Sequence, residues 1–148
     1  MKGRDHILLS LLSLGVILVP IAGSLPPVWI AAIAVGLGIG ALSPDVDTDD
    51  AAIFHANRGR PLSALVPIAG YAIRYLCYYP LALSLRICRG DTDALRHRGL
   101  LHTIPGVAAS SFFMTGSLAA VMLYFALDLF PLLPLAGSAF TAGALLHL

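Results

Sequence analysis

Apolar residues dominate this chain in long blocks. They fill residues 7–22, 28–42, 61–88, 100–130 and 135–148, with short polar or proline-rich breaks between them. Blocks of this length, without the strict alternation of a half-buried strand, predict helices. The first break, Gly23-Ser24-Leu25-Pro26-Pro27, is short and proline-rich enough to force a tight hairpin. Trp29 follows it where an interfacial anchor belongs. Gly36, Gly38 and Gly40 permit close helix packing in the second block. Ser43-Pro44 stops that block, because the residue before a proline is pushed out of helical geometry. Residues 44–60 are polar, and residues 89–98 are charged. Pro67, Arg74 and Pro80 interrupt the block between these loops. Pro131 and Pro134 mark a turn before the last block.

Composition decides what surrounds these helices. Hydrophobic residues make up 58% of the chain and charged residues 11%, and the mean hydropathy is +0.87. A soluble domain needs a surface with roughly 25–35% acidic and basic residues. This chain has no Glu and a single Lys, so lipid must cover most of its exterior. Its length suits a single integral membrane domain over residues 1–148. The basic residues are mostly Arg in short loops, which excludes a nucleic-acid-binding face. Cys77 and Cys88 would sit roughly 16 Å apart along a helix, too far for a disulfide, and read as buried small residues. Lys2, Arg4 and the apolar run to Ile21 also fit a cleaved signal peptide. The apolar blocks that follow make the chain integral in either case.

Charge placement gives the topology. Basic residues cluster at 2–4, 58–60 and 86–98, while the linkers 23–27 and 131–137 have none. The positive-inside rule then puts the N-terminus and both charged loops in the cytoplasm. Residues 61–88 start and end on that same side, so they cannot cross once. The expected architecture is an all-α polytopic membrane bundle. It has about four transmembrane helices plus a re-entrant or interfacial helical hairpin over 61–88. One ordinary span with a snorkelling Arg74 is the alternative, and it would place Asp45 and His97 on opposite faces.

The hairpin topology gathers ligand-type residues at one membrane face. His6 opens the first block there, and Asp45 and Asp47 close the second. His97 and His102 open the 100–130 block, and His147 lies near the end of the last. Carboxylates beside a membrane span are expensive, and Asp and His are the usual ligands of zinc, manganese or iron. Asp45 and Asp47 would repel each other at close range without a cation. His97 and His102 point roughly 140° apart on an unbroken helix, so Gly99 suggests that His97 precedes the helix. Arg98 suits an anionic ligand such as phosphate or carboxylate, with Arg58 or Arg60 as second choices. Asp49, Asp50 and His55 read as solvated loop residues, while Asn57, Arg58 and Arg60 read as lipid-headgroup contacts or as plain positive-inside charges.

Ser43-Pro44-Asp45-Val46-Asp47 and His97-Arg98-Gly99-Leu100-Leu101-His102-Thr103, with His6 before them, resemble the family of predicted membrane-bound metal-dependent hydrolases. That family includes the bacterial inner-membrane YdjM-like proteins. The resemblance runs over nearly the whole chain. The family usually reads Pro-Asp-Ile-Asp and His-Arg-Gly-x-x-His-Ser, so Val46 and Thr103 are conservative variants. It also carries a late histidine followed by an aspartate about four residues on. His147 matches that histidine, and the chain stops at Leu148 without the aspartate. The sequence is therefore either a fragment or a member with one ligand fewer.

The resemblance implies a multi-pass inner (cytoplasmic) membrane hydrolase. His6, Asp45, Asp47, His97, His102 and His147 would hold a divalent ion, zinc foremost, with manganese or iron as alternatives. Asp47 and Arg98 would act on a lipid-linked or phosphorylated substrate drawn from the membrane lipid or from a small-molecule pool. A non-enzymatic metal-binding, transport or scaffold protein is the other reading. Transporters place ionisable groups near the midplane, whereas these sit at segment ends.

Overall fold

The computed structural model describes residues 8–9, 12–16, 19–20, 22–48, 52–54, 65–90, 92–93 and 99–148. Every regular element among them is helical, as the block pattern predicts. Helix α1 spans Pro27–Leu42. A rod follows, made of α2 (Leu65–Ile73), a π-helical segment (Arg74–Tyr78) and α3 (Tyr79–Arg89). Helices α4 (Ile104–Tyr124) and α5 (Leu133–His147) complete the described bundle. Pro27, Pro105 and Pro134 each sit in the first turn of their helix, where a missing N–H costs nothing.

Among the described residues, three stretches are long and apolar enough to cross a membrane: Pro27–Asp47, Ile104–Tyr124 and Phe130–His147. At about 1.5 Å per residue the 21-residue stretches match a hydrocarbon core of about 30 Å. The last stretch begins earlier than the sequence pattern implied. Phe130–Leu132 forms a 3₁₀ turn that leads directly into α5, so Pro134 opens the helix instead of ending a linker.

Glycine sets the close contact between helices α1 and α5. Gly36 faces Ala136 and Ala139, Gly40 faces Phe140, and Gly143 faces Leu37 and Ala41. Positions on both helices advance together, so α1 and α5 run parallel. A Cβ on any of these three glycines would collide with backbone of the other helix. Gly38 has nothing within 4 Å of such an atom, so only Gly36 and Gly40 of the expected trio make the packing face. Helix α4 is antiparallel to α5. Thr115 meets Gly137, and the Thr141 hydroxyl donates to Ser111 at 2.9 Å.

The helical hairpin expected over 61–88 is corrected by the structure. Residues 65–89 are one continuous helical rod without a reversal. The reason lies at Pro80. Its ring removes the amide that Leu76 would bond and crowds the Leu76 carbonyl. The π segment widens the backbone just before the proline, with the Tyr79 amide donating to Arg74. The Ser117 hydroxyl of α4 then donates to the Leu76 carbonyl at 3.0 Å. Neighbouring Cys77 is buried, and its thiol donates to the Ser110 carbonyl at 3.5 Å. Cys88, expected to be buried as well, is exposed near the end of the rod.

Asp45 and His102 approach within 3.9 Å, so the chain between them leaves and returns to one end of the bundle. The core lies under that end: Val46, Ile53, Ile73, Cys77, Leu101, Met114 and Phe140 pack together. Ser117→Ala should strand the Leu76 carbonyl and cost about 1–3 kcal/mol. A thermal midpoint in detergent that does not move would refute this account of the rod.

Candidate metal centre at one end of the bundle

Two short turns position the site. After α1 the chain tightens into a 3₁₀ turn, Ser43–Asp47. The Ser43 hydroxyl donates to the Gly40 carbonyl at 2.9 Å. At three residues per turn, positions 45, 46 and 47 take three different faces. Val46 turns into the core and is fully buried, which leaves Asp45 and Asp47 on two others. The second turn, Leu100–His102, precedes α4. Leu101 anchors it in the core at 2% exposure. Thr103 is the N-cap: its hydroxyl accepts from the Gly106 amide at 3.3 Å and donates to the Leu100 carbonyl at 2.7 Å. Gly106 has no room for a Cβ against that same carbonyl. The turn therefore folds onto the first turn of the helix and carries His102 with it.

His147 arrives at the end of α5. One of its ring nitrogens, Nδ1, lies 2.7 Å from the Ala41 carbonyl. A carbonyl only accepts, so Nδ1 must carry the proton and donate. Ala41 is among the last residues of α1, where carbonyls lack a regular helical partner. His147 thus caps α1 while its other nitrogen, Nε2, faces Asp45 Oδ1 at 3.3 Å.

Ligand atoms of Asp45, His102 and His147 all lie within 4.8 Å of one another. Side-chain exposure falls from 28% at Asp45 to 18% at His102 and 5% at His147. The two imidazoles meet edge to face, with ring centroids 5.4 Å apart. Ligands held about 2.1 Å from a tetrahedral ion stand about 3.4 Å from each other; Asp45 and His147 already stand 3.3 Å apart, and His102 Nε2, 3.9 Å from Asp45, would move in to bind a divalent cation. The donor set fits as well. With Nδ1 of His147 protonated, its neutral ring presents only a lone pair to the Asp45 carboxylate. Two acceptors 3.3 Å apart are reconciled by a proton or a cation between them.

Asp47, expected among the ligands and in catalysis, takes a different place. Its side chain is fully buried, and Oδ2 lies 4.0 Å from His102 Nδ1. His6, His97 and Arg98 fall outside the described residues, as do His55, Arg58 and Arg60. No residue pattern marks the Ala41 carbonyl, because a backbone group carries no residue signature. Arg74 reads from its position as an interruption of its block or as a snorkelling cation. The Arg74 guanidinium lies over the rings of Phe54, Tyr78 and Tyr79 at 4.9, 5.7 and 6.0 Å. Aromatic faces offset part of the cost of a cation in an apolar helix.

Apolar spans, no regular strand among the described residues and a His/Asp cluster at one end of the bundle define a helical integral membrane protein. The chain belongs to the YdjM inner membrane protein family, whose family model matches residues 1–148. No curated protein and no solved structure matches it.

Proposed function

We propose that this protein is a metal-dependent hydrolase working at the membrane surface. The observation that carries the reading is the convergence of Asp45, His102 and His147, drawn from three separate elements, to within 4.8 Å. These residues would hold one divalent ion, zinc foremost, with manganese or iron as alternatives. His6 and His97 are further candidate ligands, and Arg98 is the candidate for the anionic part of the substrate. When bound, such an ion polarises the scissile bond and lowers the pKa of water toward neutrality.

The protein's own part is orientation and access. Ala41 fixes the tautomer of His147, and Leu101 and Val46 lock the two turns into the core. Asp45 is the most open of the three, so substrate enters on its side. The cluster lies at the ends of apolar stretches and not at their middle, which supports surface chemistry over transport. A lipid-linked or phosphorylated substrate suits that location. Positive-inside charge favours the cytoplasmic face, with the N-terminus inside.

Elemental analysis of detergent-purified protein tests the reading, with wild type beside Asp45→Ala and His102→Ala. Stoichiometric metal in wild type and its loss from both variants is the expected result. Wild type that takes up no divalent ion even after loading would sink the proposal. Metal transport into vesicles without hydrolysis of phosphoester or lipid substrates would replace the hydrolase with a transporter.

A further inference from the structure

His102 stands between two carboxylates, and each ring nitrogen faces a different one. Nε2 lies 3.9 Å from Asp45 Oδ1, and Nδ1 lies 4.0 Å from Asp47 Oδ2. His147 has the same polarity, with Nδ1 on the Ala41 carbonyl and Nε2 toward Asp45 Oδ1. Both histidines therefore turn Nε2 into the cluster and Nδ1 toward an oxygen outside it. The two aspartates differ sharply in access. Asp45 is 28% exposed and Asp47 is 0%. A carboxylate shut away from solvent is poorly placed to receive substrate. It is well placed to accept a proton from an imidazole that it flanks.

We infer that Asp47 is a positioning residue and not a ligand. It holds His102 with the proton on Nδ1 and Nε2 directed at the cluster, as Ala41 holds His147. The inference rests on the metal reading of Asp45, His102 and His147, and it assigns that site its supporting shell. Histidines that bind metal ordinarily donate their second ring N–H to a carboxylate or a backbone carbonyl, which fixes the tautomer and raises ligand basicity. Here one histidine has each kind of support. Two histidines and one carboxylate are also the protein ligands of an open catalytic zinc site, which keeps a position for water or substrate. The 4.0 Å separation is longer than a hydrogen bond, and such contacts tighten when a site is filled.

The test compares Asp47→Asn with Asp45→Asn in full-length protein, using cobalt(II) as the probe. Asp47→Asn should still take up one equivalent with an unchanged absorption envelope, at an affinity lowered about 10- to 100-fold. Asp45→Asn should lose the bound ion or change the envelope. An altered envelope or complete loss of cobalt in Asp47→Asn would make Asp47 a ligand and overturn the inference. Histidine ¹⁵N spectra of the metal-free protein provide a readout independent of metal. The His102 proton should sit on Nδ1 in wild type and redistribute in Asp47→Asn. If wild type binds no cobalt, the metal reading falls, and the ¹⁵N spectra still decide the contact. A His102 signal identical in both proteins overturns it.

Discussion

Replacing Gly143 with leucine should abolish a stably folded bundle, whereas leucine at Gly38 should leave it intact. The two positions are both glycines in apolar helices, so propensity alone would favour both substitutions. What separates them is the neighbour. A Cβ at Gly143 runs into the Leu37 carbonyl and the Ala41 amide, while a Cβ at Gly38 meets nothing within 4 Å. Backbone cannot rotate away as a side chain can. The parallel pair α1–α5 must then separate, and it is the closest helix contact in the described bundle. Overpacking costs typically 1–3 kcal/mol where neighbours can adjust, and two rigid backbones should push the cost above about 3 kcal/mol. In a bilayer, small residues are what allow such approach, because burial from water supplies no drive between helices. Thermal unfolding in detergent, followed by circular dichroism and size exclusion, gives the comparison. Equal midpoints for Gly143→Leu and Gly38→Leu would mean that the α1–α5 contact does not hold the fold together.

The extent of sequence legibility follows from the range of each interaction. Apolar blocks, proline breaks and the asymmetry of basic residues are local, and they yield the helices and the common end for Asp45, His102 and His147. The hairpin over 61–88 fails for a non-local reason. Pro80 looks like a break, and its orphaned carbonyl is rescued by Ser117, which is 41 residues away from Leu76. No periodicity in either segment announces that pairing. Thr103 is legible as a cap because its partner, Gly106, is three residues on. The division of labour between Asp45 and Asp47 is not. Both follow the same proline two residues apart, and only the burial of Val46 in a 3₁₀ turn sends their carboxylates to different sides of His102. Gly36 and Gly38 are likewise indistinguishable until the neighbouring helix is placed.

Truncating His147 to alanine should lower divalent-metal affinity by more than the ~10–100-fold that loss of a supporting partner costs. Nε2 of His147 lies 3.3 Å from Asp45 Oδ1, closer than His102 Nε2 at 3.9 Å. The same substitution removes the cap on Ala41, a buried carbonyl at the end of α1. Leaving it unsatisfied adds about 1–3 kcal/mol of destabilisation, small enough for the bundle to persist. The two effects can be separated. His147→Gln supplies an amide that can still donate to the Ala41 carbonyl while losing the imidazole. It should recover most of the stability and little of the metal affinity. Competition with a chromophoric chelator measures each affinity, and thermal midpoints measure each fold. Wild-type affinity in His147→Ala would remove this residue from the site and leave it only the role of capping α1.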